Sequence, residues 1–125
     1  MIPTGYMLIG NGKTSSVEYM SNTVPIPGDK EDIAVATAMA GEMLGLKSLY
    51  LEAGSGATHW VNPGLIESIR KKISLPLIVG GGIRSAETAR EQFTAGADMI
   101  VVGNALEKDP GLLKSFIDVR NSLNT

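Results

Sequence analysis

Cysteine is absent from the 125 residues, which removes disulfides, thiolate nucleophiles and thiolate metal sites and is compatible with a reducing, cytoplasmic setting. A single histidine, His59, leaves no histidine cluster for zinc. A basic excess is missing as well: 11 Lys and Arg against 13 Asp and Glu give a formal net charge of -2 and a pI of about 5.3. No broad positive field attracts nucleic acid, so any anionic ligand must be met by local geometry. No apolar run approaches the roughly 20 residues that span a bilayer. Met1-Ile2-Pro3-Thr4 lacks the basic flank and apolar core of a secretion signal. Neither a Pro/Ser-rich linker nor a block of like charge divides the chain, and one soluble domain over residues 1–125 is expected.

The informative stretch is Leu75-Pro76-Leu77-Ile78-Val79-Gly80-Gly81-Gly82-Ile83-Arg84-Ser85-Ala86-Glu87, where an apolar β run ends in three glycines and opens onto a helical pattern. Glycines let a ligand approach the main chain, and Ser85 can cap a helix whose first N–H groups point at an anion. The helix start adds roughly 0.3 to 1 kcal/mol at an exposed site. Ala97-Asp98-Met99-Ile100-Val101-Val102-Gly103-Asn104-Ala105-Leu106 repeats the scheme. Two such turns on neighbouring parallel strands can hold one phosphate between them, as at the last two strands of many (β/α)8 barrels. The plainer alternative is that these glycines only end strands and allow tight packing. Gly12-Lys13-Thr14 is not a nucleotide loop, because Met7 stands where that motif needs its first glycine.

Taken in order, Thr4 to Ile9 reads as a buried strand closed by Gly10-Asn11-Gly12, and Ser15 to Pro27 as an irregular loop, either connecting or substrate-binding. A helix from Asp29 or Lys30 to Gly45 carries an apolar stripe of Ile33, Ala36, Ala40, Met43 and Leu44, and its many small residues suggest close packing on a sheet. Ser48 to Ala53 is a strand, closed by Gly54-Ser55-Gly56-Ala57. Alternation puts Leu49 and Leu51 on one face and Tyr50 and Glu52 on the other; with the leucines against helices, Glu52 points inward near the C-terminal mouth. Read from the residues alone, Glu52 is a base or a solvated charge, and Tyr50 a site residue or filler. Asn62-Pro63 opens a helix with the stripe Leu65, Ile66, Ile69 and Ile73, and Arg70-Lys71-Lys72 reads as its solvated end. A helix over Ser85 to Ala95, a strand over Asp98 to Val102, a short turn at Asn104 and a helix from Pro110 follow, with a frayed tail from Asn121. Arg84 reads as an exposed helix-start arginine, with contact to the ligand as the alternative, and His59 and Trp60 as loop-packing or capping residues, with substrate contact as theirs.

Four alternations of strand and helix predict a parallel sheet with right-handed crossovers. The 125 residues are half of the roughly 250 that a complete (β/α)8 barrel takes.

Tyr50-Leu51-Glu52-Ala53-Gly54-Ser55-Gly56-Ala57, Val79 to Ser85 and Gly96 to Asn104, with Gly5-Tyr6 and Pro25 to Lys30, resemble the geranylgeranylglyceryl phosphate synthase family with its PcrB-like heptaprenylglyceryl members. The resemblance spans only the family's C-terminal half, from the fifth strand of its barrel to its last helix, and with it the expected fold is a (β/α)4 half of a TIM-type barrel. It implies a prenyltransferase of ether-lipid synthesis that joins the 3-hydroxyl of sn-glycerol 1-phosphate to a polyprenyl diphosphate. By motif position, Glu52 would take the hydroxyl proton and Tyr50 would help position the substrate. Gly54, Ser55, Gly81, Gly82, Gly103 and Asn104 would hold the glycerol phosphate. The resemblance also implies Mg2+, with its aspartate ligand in the family's first half, so this chain would act with that half or as a homodimer. A stand-alone half-barrel that binds phosphate without catalysis is the other expectation, and another phosphate-using barrel a third.

Overall fold

A computed structural model of the chain describes residues 2–10, 25–53 and 58–123. Five parallel strands form one sheet in the order β2-β1-β3-β4-β5, with β1 Thr4–Gly10, β2 Ile26–Pro27, β3 Ser48–Glu52, β4 Leu77–Gly80 and β5 Met99–Val101. Among the described residues the helices are α1 Glu31–Met43, α2 Pro63–Arg70, α3 Ala86–Ala95, α4 Asn104–Lys108 and α5 Leu112–Leu123. The expected alternation is therefore present. The sequence reading did not separate β2 from its loop; its two residues pair with Ile9 and Gly10 beside the end of β1. The segments 11–24 and 54–57, with the turn at Asn11-Gly12, most of the Ser15 to Pro27 loop and the Gly54-Ser55 loop, lie outside the described residues.

The outward face of the sheet builds the core. Leu49, Leu51, Leu77 and Val79 are buried against Leu65, Ile66 and Ile69 of α2. Asn62 caps α2 by accepting from Gly64 N at 2.7 Å, with Pro63 at its first position. The last helix packs as part of a second cluster of Ile83, Ala89 and Phe116. It runs as far as Leu123, so the tail expected to fray from Asn121 is helical for one more turn.

Two expectations are corrected. In α1 the buried residues are Ala34, Ala38 and Gly41, while Ile33, Ala36, Ala40, Met43 and Leu44 are exposed. Both sets have helical spacing; packing decides between them. A Cβ on Gly41 would stand 3.0 Å from Leu46 Cδ1, and one on Gly5 would stand 2.7 Å from the same atom. Leu46 thus fills the space between helix and strand, and only the smallest side chains fit beside it. Arg70 is not a solvated helix end either. Its guanidinium donates to Ile73 O at 3.1 Å, Leu75 O at 2.7 Å and Asp98 Oδ2 at 2.9 Å, and Asp98 also accepts from Leu77 N. This clamp ties α2 to the starts of β4 and β5.

Candidate functional site

The other face of the sheet carries the chemistry. Register aligns Tyr6, Tyr50, Ile78 and Met99 in one row and Leu8, Glu52, Gly80 and Val101 in the next, toward the C-terminal ends of the strands. Because side chains alternate, both rows face the same way, and Glu52 lies directly beside the first glycine of the β4 turn. Gly80 is needed for its neighbour: a Cβ there would lie 2.5 Å from Tyr50 Oη, so the phenol leans across it.

Tyr50 donates a hydrogen bond to the Glu52 carboxylate. Burial first, then the Glu52 charge, this hydrogen bond and Tyr6 push the Tyr50 phenol up to about 12. Tyr50 therefore stays protonated across the physiological range and acts as a donor. Tyr6 stacks on Tyr50 with ring centroids 5.6 Å apart and planes at 28°. Its own phenol is also raised, by burial and then by Glu52.

The chain turns at Gly81 and Gly82 with φ of 92° and 74°, a region that favours glycine. A Cβ at Gly82 would also run into the His59 carbonyl, so this glycine packs the β4 turn against the chain entering α2. Gly103 differs: nothing lies within 4 Å of where its Cβ would be, and a ligand can reach the backbone there. Gly103 precedes α4, whose first intrahelical bonds run from Leu106 N and Glu107 N to Gly103 O. The amides of Asn104 and Ala105 thus stand at the helix start, where no intrahelical acceptor exists. Ser85 caps α3, accepting from Thr88 N at 3.2 Å.

These parts enclose one open cleft of about 130 Å³. Of the candidate residues, Tyr50, Glu52, Gly81, Gly82, Gly103 and Asn104 line it; Gly54 and Ser55 lie outside the described residues. Ile83, Arg84, Val101, Val102 and Ala105 complete the lining. Of the two sequence readings of Arg84, helix start is not met: α3 begins at Ala86 with Ser85 as its cap, which leaves Arg84 in the glycine turn. His59 and Trp60 are exposed and do not line the cleft. Among the described residues no three His, Cys, Asp or Glu gather as a metal cluster, and none of the helices is long and apolar enough to cross a membrane. An acid beside two strand-tip turns rich in main-chain donors is an arrangement with the means to hold an anion at the turns and a proton-bearing group at the carboxylate.

The PcrB family model matches residues 1–120. The chain is 52% identical over 124 residues to a geranylgeranylglyceryl phosphate synthase of Spirosoma linguale, covering 99% of this chain and 50% of that protein. With the enzyme of the same name from Korarchaeum cryptofilum it shares 42% over 124 residues, again 99% of this chain and 51% of the other. The structure is similar to (S)-3-O-geranylgeranylglyceryl phosphate synthase from Thermoplasma acidophilum in complex with sn-glycerol 1-phosphate. That match has a TM-score of 0.84 and 33% identity, covering 94% of this chain and 48% of the other. The chain spans about half the length of the curated relatives it matches.

Proposed function

Since this chain belongs to the PcrB family, we propose that it carries the glycerol phosphate side of a polyprenylglyceryl phosphate synthase site, one that joins the 3-hydroxyl of sn-glycerol 1-phosphate to a polyprenyl diphosphate in ether-lipid synthesis. The observation that carries this reading is the register pairing of Glu52 with Gly80, which puts one carboxylate beside the glycine turns in a single cleft. The phosphate sits against the turns at Gly82 and Gly103 and the first amides of α4, and anchoring it fixes which hydroxyl meets Glu52.

Glu52 accepts the proton of the 3-hydroxyl as that oxygen bonds to the allylic carbon. The bond from that carbon to the diphosphate breaks, and pyrophosphate leaves with its electron pair. Tyr50, protonated because its phenol is raised to about 12, donates to Glu52 and holds the carboxylate in place. The family implies Mg2+ at the diphosphate, but the residues of this cleft do not fit such an ion. Among the described lining residues the one carboxylate is Glu52, bonded to Tyr50 and engaged with the hydroxyl proton, which leaves none of the one or two carboxylates by which Mg2+ is held beside substrate phosphates. No step here is assigned to the metal, and the prenyl side of the site is assigned to the half of the barrel that this chain does not cover.

The test is an assay with sn-glycerol 1-phosphate, a polyprenyl diphosphate and Mg2+, using this chain alone and mixed with the first half of a relative. Prenyl transfer is expected in the mixture and should disappear in Glu52→Gln while glycerol phosphate binding persists. Equal transfer by the variant would remove Glu52 from the mechanism. A second reading rests on the exposed sheet face, where Tyr6, Met99 and Val101 are 64%, 56% and 44% exposed: a half-barrel that self-associates and binds phosphate without prenyl transfer. Binding with no transfer in either assay would favour it.

A further inference from the structure

We propose that Arg84 is the side-chain cation that recognises the phosphate group in this cleft; the assignment deepens the glycerol phosphate reading and rests on it. Among the described lining residues Arg84 is the one cation and Glu52 the one carboxylate. A phosphate monoester brought beside Glu52 meets a like charge, and main-chain amides carry only partial positive charge against it. A guanidinium answers both needs, with its fixed charge and a planar fork that matches two phosphate oxygens.

The turn presents Arg84 for this role. Ile83, 4% exposed, is anchored in the cluster with Ala89 and Phe116 and pins the chain immediately before Arg84. Ser85 pins it immediately after, by capping α3. Between these anchors Arg84 Nη1 donates to Gly82 O at 3.3 Å, which turns the side chain back over the glycines that face the cleft. A guanidinium carries five N–H donors in one plane, so it can hold protein acceptors and face an anion at once.

The test is calorimetric titration of the 125-residue chain with sn-glycerol 1-phosphate, and with inorganic phosphate as the minimal probe, at low and high NaCl. Arg84→Gln is expected to raise Kd on the order of tenfold or more for both probes, the usual effect of losing a charge-assisted bond to an ion. The variant should also show a shallower rise of Kd with salt, which a merely structural role would not produce. An Arg84→Gln protein that binds as tightly as wild type, with the same salt dependence, overturns the assignment and leaves the glycerol phosphate reading standing. A wild-type chain that binds neither probe overturns both. Should the glutamine variant fail to fold, Arg84→Met, which keeps the aliphatic stem, is judged by the same outcomes.

Discussion

At the scale of single residues, Tyr50 and Glu52 act as one unit. Tyr50 holds its proton from the ordinary value of 10.0 up to about 12, so between those values the folded chain binds a proton that the unfolded chain has lost. Stability from this phenol is fully present below 10.0 and is lost as pH rises through about 12. Urea midpoints measured across that window should fall with rising pH, and Tyr50→Phe should flatten the fall. Gly103 separates ligand approach from folding. With nothing within 4 Å of its Cβ position, Gly103→Val should change stability by no more than about 0.5 kcal/mol. It should weaken glycerol phosphate binding on the order of tenfold, because the branched side chain occupies ligand volume. Unchanged titration would count against the cleft. The facing of Tyr50 and Glu52 was legible, since strand alternation depends on sequence alone. The packing role of Gly82 was not, because its constraint is the His59 carbonyl, 23 positions away in the chain.

At the scale of elements, α1 and α2 respond to different physics. In α2 the stripe Leu65, Ile66 and Ile69 is fully buried, as expected for one apolar face opposite a polar one. In α1 apolar residues surround the helix, so periodicity offered two faces and the thickness of Leu46 selected the smaller side chains. Ala38→Leu should therefore destabilise by about 1–3 kcal/mol through overpacking. Met43→Gln, at a site 86% exposed, should stay within about 0.5 kcal/mol. Denaturant unfolding of the two variants checks both, and the opposite ranking would restore the Met43 face as the buried one. Arg70→Ala should cost about 1–2 kcal/mol, discounted for its exposed Asp98 partner, because two main-chain acceptors lose their donor.

For the whole molecule, the pattern of exposure is uneven. Among the described residues, α2 and α3 expose no large apolar side chain, whereas α1 exposes Ile33, Met39 and Met43, α5 exposes Leu113, Ile117 and Leu123, and the sheet face exposes Tyr6, Met99 and Val101. Helices α1 and α5 and the sheet face opposite the core thus carry most of the exposed apolar surface. Parallel sheets are ordinarily covered on both faces, and open edges invite pairing. Light scattering should find the isolated chain self-associated, with Tyr6→Lys shifting it toward monomer. A monodisperse wild-type monomer would contradict the expectation.

Sequence by itself determined the alternation of four strands with helices and their parallel direction, the facing of Tyr50 and Glu52, and the two glycine turns, because period-2 alternation, caps and glycine chemistry act within a few residues. Tertiary structure alone decided which face of α1 is buried, that Arg70 is a clamp, and that Arg84 shares the cleft with Glu52. Each of those depends on volumes and acceptors brought together from distant parts of the chain, and local pattern carries no record of them.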